Sequence, residues 1–260
     1  MGEEDCRLLC GDSLALLREL PSGSVDGVMT DPPYSSGGQF RGDRMASTVT
    51  KYVNSDQQQQ RQDFSGDNRD QRSYAYWCAL WMSECLRVAK PGAPLCVFTD
   101  WRQLPTTTDA VQAGGWVWRG IVPWNKTQGT RPQMGRFRAQ CEYVIFASAG
   151  PMPPREDVGV LPGFFECSVN SEGEREHLAG KPVAVMEQIV RIVPKGGLVL
   201  DPFAGSASTA LACLRAGRRF LGFEIDSEIH ARALARIAGP LFGPVVRIAP
   251  EAAQSSLLES

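Results

Sequence analysis

The clearest chemistry in this sequence lies in the tetrapeptide Asp31-Pro32-Pro33-Tyr34, which directly follows the apolar run 25–30. A short apolar run that stops at an acid and two prolines is typical of a buried strand whose carboxyl end opens into a rigid turn. Ligands bind at such ends in open α/β sheets. The carboxylate and the backbone carbonyls can accept hydrogen bonds from a planar amine while the Tyr34 ring stacks on its face. We therefore expect these residues to hold an amino-bearing nucleobase, with an ordinary strand-to-loop turn as the alternative.

A second apolar stretch, 198–200, leads into a loop of small residues and then a helical pattern over 210–217; the loop is Asp201-Pro202-Phe203-Ala204-Gly205-Ser206-Ala207-Ser208-Thr209. The next predicted strand, 219–224, ends in acids after roughly 20 residues, the spacing at which a carboxylate meets ribose hydroxyls. The sequence has neither a Gly-x-Gly-x-x-Gly fingerprint nor a Walker-type lysine. The loop is thus expected to cradle an adenosine-containing ligand without a pyrophosphate, and a generic helix start is the alternative.

In this order the two segments resemble the signature motifs of β-class S-adenosylmethionine-dependent DNA adenine N6 amino-methyltransferases. The resemblance spans about residues 6–238 and includes the segments 8–26, 86–98 and 177–192. It implies an α/β fold: a Rossmann-like, mostly parallel seven-stranded sheet with helices on both faces and small recognition insertions. The whole chain, 1–260, would then form a single permuted methyltransferase domain.

The resemblance also implies site residues. Asp31, Pro32, Pro33 and Tyr34 are expected to be catalytic, and no metal is expected. The residues implied for binding S-adenosyl-L-methionine are Asp12, Asp31, His177, Lys181, Asp201, Phe203, Ala204, Gly205, Ser206, Ser208, Glu224, Ile225 and Asp226. The sequence departs from the family pattern at Ala207, where glycine is usual, and at Leu178, where proline usually follows the histidine. We expect the added Cβ of Ala207 to weaken or shift cofactor binding.

Charge is distributed unevenly. The net charge of −2 is unusual for a DNA-binding protein, yet residues 102–141 carry six cationic side chains against one acid. Tryptophans interleave this stretch, and we expect them to be core residues more than stacking plates. The alternative for the whole stretch is a solvated face beside a core strand. The residues expected to contact DNA are Lys126, Arg131, Arg136 and Arg138, together with Arg41 and Arg44.

Two polar segments are predicted to be insertions. Residues 35–73 include a run of four glutamines and are expected to form a mobile DNA-facing insertion that orders on its target. Residues 151–176 occupy the place of the family's target-recognition region, but the segment is short and acidic. Recognition would therefore rest on residues 35–73, on the basic stretch or on a second subunit, and we expect a homodimer.

Composition bounds the remaining possibilities. A chain of 260 residues that is 43% hydrophobic can bury one α/β core with an appendage. Eight scattered cysteines and two histidines predict reduced thiols in a cytoplasmic protein. The family resemblance implies that the protein is bacterial or phage-encoded. We expect no membrane association, because no apolar signal region or spanning segment is visible.

The expected function is N6-methylation of adenine in a specific double-stranded DNA sequence, with base flipping. The protein would be an orphan enzyme or half of a system with a separate restriction endonuclease. One alternative is N4-methylation of cytosine, whose enzymes more often carry serine at the position of Asp31. Methylation of RNA or of a protein amide is a second alternative, and a non-catalytic DNA-binding relative is a third.

Overall fold

The computed structural model describes residues 5–33, 71–127, 134–168 and 180–239. The strands are β1 (Cys6–Cys10), β2 (Gly27–Thr30), β3 (Pro94–Thr99), β4 (Val117–Asn125), β5 (Cys141–Ser148), β6 (Phe165–Glu166), β7 (Leu198–Asp201) and β8 (Arg219–Glu224). The helices are α1 (Ser13–Glu19), α2 (Gln71–Val88), α3 (Leu104–Ala113), α4 (Val183–Val190), α5 (Ser208–Arg215) and α6 (Ser227–Ile237). The expectations for Tyr34, Arg41, Arg44, Arg131 and His177, and for most of segment 35–73, lie outside these residues.

The strands form one sheet in the order β1-β8-β7-β2-β3-β5-β4-β6. Every neighbouring pair is parallel except the two that β5 makes with β3 and β4. The mostly parallel sheet is confirmed, but it has eight strands among the described residues where seven were expected. The additional strand is the two-residue β6, in which Phe165 pairs with Trp124 at the end of β4. It lies in a segment whose polar composition indicated only an insertion.

Side chains alternate between the two faces of the sheet, and each face is covered by helices. On β2, Val28 belongs to the core cluster that includes residues of α1, α2 and α3, whereas Met29 belongs to the cluster of α4, α5 and α6. Successive residues of a strand point to opposite faces. Strands β2 and β3 are fully buried on both faces, as expected for a parallel sheet, and the result is a three-layer arrangement. No helix in the described ranges is long and apolar enough to cross a membrane.

The parallel strands bring their carboxyl ends to one edge of the sheet. At its centre β7 and β2 are neighbours, and the elements that follow them pack on opposite faces, α5 on one and α2 on the other. The strand order therefore reverses between β7 and β2. Such a topological switch point opens a crevice outside the carboxyl ends of the two strands, where open α/β sheets bind ligands.

Candidate active site

The ends of β7 and β2 are joined by the buried carboxylate of Asp201. The Thr30 hydroxyl donates to Asp201 Oδ1 at 2.7 Å, and the backbone N–H of Phe203 donates to the same oxygen at 3.1 Å. The Thr209 hydroxyl, on the first turn of α5, donates to Oδ2. Burial raises the pKa of Asp201 to about 6 in spite of these hydrogen bonds. Asp201 thus positions the loop after β7, while its expected contact with a cofactor stays a prediction.

Asp31, directly after β2, belongs to a chain of alternating charges at the crevice. Lys181 Nζ donates to Asp31 Oδ2 at 2.6 Å and lies 3.2 Å from Glu142 Oε2. The other oxygen of Glu142 pairs with Lys126. Only 14% of the Glu142 side chain and 14% of the Lys181 side chain are exposed. The crevice therefore holds four charges in the order Asp31, Lys181, Glu142 and Lys126.

The alternation of charge determines the protonation of this group. Burial alone would lower the pKa of the Lys181 ammonium, but Asp31 and Glu142 together raise it above its ordinary value. Burial alone would likewise raise the pKa of Glu142, yet Lys181 and Lys126 lower it. Lys181 also lies over the ring of Phe98, with 5.3 Å between Nζ and the ring centroid. The cation beside Asp31 is thus held in place from several sides.

The expected nucleoside side of the site lies at the ends of β7 and β8. Glu224 ends β8, and its carboxylate accepts the N–H of Gly205 at 3.0 Å and that of Asp226 at 2.9 Å. Burial raises the pKa of Glu224. The next side chain, Ile225, is apolar yet 55% exposed at this edge. A carboxylate next to an open apolar side chain suits ribose hydroxyls and the face of a base.

Two further acids expected at this site cap helices. Asp12 is the N-cap of α1 and accepts the N–H of Ala15 at 3.0 Å. Asp226 is the N-cap of α6 and accepts the N–H groups of Glu228 and Ile229, each at 2.9 Å. These bonds satisfy N–H groups that have no partner within the helix. Both residues lie at the carboxyl edge, and their contact with a cofactor stays a prediction.

The segment that precedes α4 packs closely against the loop after β7. A Cβ built on Gly180 would lie 2.2 Å from Ser206 Oγ and 3.0 Å from Ser208 Oγ, so a larger residue there would require the Ser206 side chain to shift. Arg236 on α6 donates to the Ser206 carbonyl at 2.7 Å and to Ser208 Oγ at 3.1 Å. Gly180 and Lys181 thus connect the loop after β7 with Asp31 after β2.

Ala207 differs from its expected placement. Its backbone is left-handed, with φ of 64°, and its side chain is fully buried in the core of α4, α5 and α6. The added Cβ therefore packs in the core and does not point at the open edge. The left-handed backbone explains why glycine is the usual residue here, since a Cβ costs about 1–2 kcal/mol in that conformation.

Phe203 and Ala204, in the loop after β7, contact α2 and β8. The Phe203 ring lies 5.1 Å from the ring of Trp77 and 5.2 Å from that of Trp81. Ala204 is buried, and its N–H donates to the Phe223 carbonyl at 2.8 Å. Phe203 and Ala204 therefore fix the loop against the fold from two directions.

The basic stretch divides into a buried and an exposed part. Lys126 is paired with Glu142 and lies over the Trp124 ring, and its expected contact with phosphates stays a prediction. Arg136 is exposed and Arg138 partly exposed, and Phe137 between them is fully exposed. Trp116 and Trp124 are core residues, as expected, whereas Trp118 is 43% exposed.

Sequence reasoning missed Glu142 and Arg236. Glu142 is an acid at the second position of the otherwise apolar strand β5, and such an acid indicates a buried partner. Arg236 carries no comparable signal, because it lies in the last turn of an amphipathic helix where a cation is ordinary.

Comparisons with known proteins agree with this geometry. A protein-family model described as DNA methylase matches residues 25–157 and 153–235. The chain is 28% identical over 233 residues to an Escherichia coli (strain K12) protein named "Putative methylase YubD", covering 89% of this chain and 90% of that protein.

Solved structures share the fold. An M1.HpyAVI–SAM complex superposes with a TM-score of 0.63 at 20% identity, covering 89% of this chain and 98% of that one. The cytosine-N4-specific PvuII DNA methyltransferase superposes with a TM-score of 0.70 at 18% identity, covering 98% and 91%.

Proposed function

Because this chain belongs to the DNA methylase family, we propose that it transfers a methyl group from S-adenosyl-L-methionine to the N6 amino group of adenine in a specific double-stranded DNA sequence. The observation that carries the proposal is the ion pair between Asp31 and Lys181 at the switch point, together with the carboxylate of Glu224 at the end of β8. An acceptor for an amine and an acceptor for a ribose thus lie at the same edge of the sheet, on either side of β7.

The residues at the ends of β7 and β8 fit the methyl donor. Glu224 can accept hydrogen bonds from ribose hydroxyls, and exposed Ile225 offers an apolar surface to the adenine ring. Gly205, in the loop after β7 and so between the ends of β8 and β2, is half-buried and has no side chain to cover its backbone. When bound there, S-adenosyl-L-methionine supplies an electrophilic methyl group.

Asp31 and the Pro32 carbonyl would receive the target amine. A carboxylate offers about four lone-pair sites, so Asp31 can accept from the amine while it also accepts from Lys181. Acceptance of the two N6 protons would draw electron density toward the nitrogen. As the N–CH3 bond forms, the C–S bond of the donor would break, S-adenosylhomocysteine would leave, and one N6 proton would pass from the amine to solvent. Most of the rate enhancement then comes from positioning. Tyr34, outside the described residues, is proposed to stack on the base.

The target base has to leave the duplex to reach Asp31, at a cost of a few kcal/mol. The segment 134–140, between β4 and β5 at the same edge as Asp31, supports an approach of DNA from this side. It exposes Arg136 beside the fully exposed Phe137. Arginine side chains of this kind contact phosphates and release counterions.

N4-methylation of cytosine is the second candidate, favoured by the fold shared with the cytosine-N4-specific PvuII enzyme. The two reactions need the same acceptor pair for an exocyclic amine. The acid at position 31 supports adenine, because cytosine-N4 enzymes more often have serine there. A homodimer and a separate restriction endonuclease stay predictions from the family resemblance.

A labelling experiment tests the substrate class. The protein is incubated with methyl-labelled S-adenosyl-L-methionine and, separately, with duplex DNA, RNA of the same sequence and a protein extract. We expect label in duplex DNA alone, and label in RNA or protein instead would contradict the proposal.

The Asp31→Ala variant tests the site. We expect it to transfer no label while binding S-adenosyl-L-methionine within a few-fold of the wild type, because Asp31 belongs to the base pocket. Asp109→Ala, at an exposed position of α3, is the control and should remain active. Loss of cofactor binding by Asp31→Ala, with the fold intact by circular dichroism, would contradict this role.

A further inference from the structure

An exposed tryptophan follows β3 at the same edge of the sheet as Asp31. Trp101 lies two residues beyond the end of β3, and 54% of it is exposed. Large aromatic side chains are usually buried. An indole left open at a ligand-binding edge therefore requires an explanation.

The turn that carries Trp101 is rigid. The Asp100 carboxylate accepts the backbone N–H groups of Arg102 and Gln103, each at 2.9 Å, through Oδ1. Its other oxygen lies 3.5 Å from the Arg102 guanidinium. The guanidinium carbon of Arg102 in turn lies 4.8 Å from the centroid of the Trp101 ring. The indole is therefore held by a cation–π contact before any ligand binds, which reduces the entropy lost on binding.

The position of this turn relates it to the target amine. Strands β2 and β3 are parallel neighbours, and Thr30 pairs with Val97. Asp31 is therefore level with Phe98, and Trp101 lies three residues further out from the edge of the sheet. Neighbouring strands are about 4.8 Å apart. A DNA strand that delivers a base to Asp31 would thus pass next to Trp101.

We propose that Trp101 is a stacking platform for a nucleobase of the DNA substrate, next to the base that enters the pocket at Asp31. The inference rests on the proposed function, because it requires DNA at this edge. Every base offers a π-face, so the contact adds affinity and no sequence preference of its own. Stacking of one base on an aromatic side chain corresponds to about a 5- to 150-fold change in affinity.

DNA-binding measurements on Trp101→Ala and Trp101→Phe test the proposal. The probe is a duplex that the wild type methylates, titrated at several salt concentrations. We expect Trp101→Ala to bind it about 5- to 150-fold more weakly, with an unchanged slope of log affinity against log salt, because no phosphate contact is lost. Trp101→Phe keeps an aromatic face and should lose less.

Trp118→Ala is the matched control. Trp118 is another exposed tryptophan, 43% exposed, but it lies at the start of β4 and so at the opposite edge of the sheet. The Trp118→Ala variant should bind DNA like the wild type. Equal affinities of Trp101→Ala, Trp118→Ala and the wild type would overturn the proposal, as would a flattened salt dependence in Trp101→Ala. Failure of the wild type to methylate any DNA would instead overturn the proposed function.

Discussion

Lys181 Nζ lies 2.6 Å from Asp31 Oδ2, although 150 residues separate the two in the chain. The preceding residue, Gly180, packs against Ser206 and Ser208 in the loop after β7. One short segment therefore contacts both halves of the crevice. Asp31, the proposed acceptor of the amine, and the loop proposed to hold the methyl donor are thus positioned by the same segment.

Lys181→Met should slow methyl transfer while DNA binding changes little. Loss of the ammonium removes the 2.6 Å contact that positions the Asp31 carboxylate, and misplacement of a reacting group by about 1 Å can cost on the order of 100-fold in rate. Single-turnover transfer at saturating S-adenosyl-L-methionine measures the effect. Lys195→Met, at an exposed position, is the control. A wild-type rate for Lys181→Met would show that Asp31 does not need this partner.

Glu224→Ala should weaken binding of S-adenosyl-L-methionine. Hydrogen bonds to a charged group contribute about 1.5–3 kcal/mol, so we expect the dissociation constant to rise by roughly 10- to 150-fold. Isothermal titration calorimetry measures it directly. Glu228→Ala, in the first turn of α6 with 74% of its side chain exposed, removes a nearby acid and should bind normally. An unchanged dissociation constant in Glu224→Ala would show that the cofactor binds elsewhere.

Neutralising Arg136 and Arg138 together should lower DNA affinity similarly for cognate and random duplexes. Phosphate contacts do not depend on sequence, and each one lost reduces the salt dependence of binding. Titrations of Arg136→Gln/Arg138→Gln over a range of salt concentrations should therefore give a flatter slope than the wild type. If affinity falls for the cognate duplex alone, these arginines contact bases instead.

The buried Asp201 predicts a specific pH dependence of stability. Its pKa is about 6 in the fold against an ordinary value of 3.8. The folded protein therefore holds this proton more tightly than the unfolded chain, so the stability that the group contributes at low pH is lost as the pH rises from about 4 to about 6. Relative to Asp201→Asn, the free energy of unfolding of the wild type should fall by on the order of 2 kcal/mol between these two pH values.

Urea unfolding of both proteins across this pH range checks the prediction. The comparison with Asp201→Asn cancels the other titrating groups, which the two proteins share. Asp109→Asn, at an exposed position of α3, is the control, and its free energy of unfolding should change with pH as that of the wild type does. Parallel curves for Asp201→Asn and the wild type would mean that Asp201 does not change its protonation on unfolding in this range.

Strand ends were predictable from sequence because the chemistry of each end is local. Apolar runs that stop at Asp31, Asp201 and Glu224 predict both a strand and the position of its carboxyl end. The structure has β2, β7 and β8 at these places. The two-residue β6 was not predictable, since its pairing with Trp124 depends on a tertiary contact.

Side-chain partners far apart in sequence could not be predicted. The basic stretch gave no sign that Lys126 turns inward, because its partner Glu142 lies on the next strand and Lys181 on a distant segment. Ala207 was placed correctly in the loop, but the direction of its side chain depends on a left-handed backbone that the sequence does not reveal. Local pattern thus determines the elements, and tertiary packing determines which charges meet.

The central claim is methylation of the adenine N6 amine at Asp31, and the identity of the modified nucleoside tests it most directly. Unmethylated plasmid DNA is incubated with the wild type or with Asp31→Ala and S-adenosyl-L-methionine, digested to nucleosides and analysed by mass. We predict that only the wild type gives N6-methyldeoxyadenosine. N4-methylcytosine as the product, or the same methylated adenine from Asp31→Ala, would contradict the account.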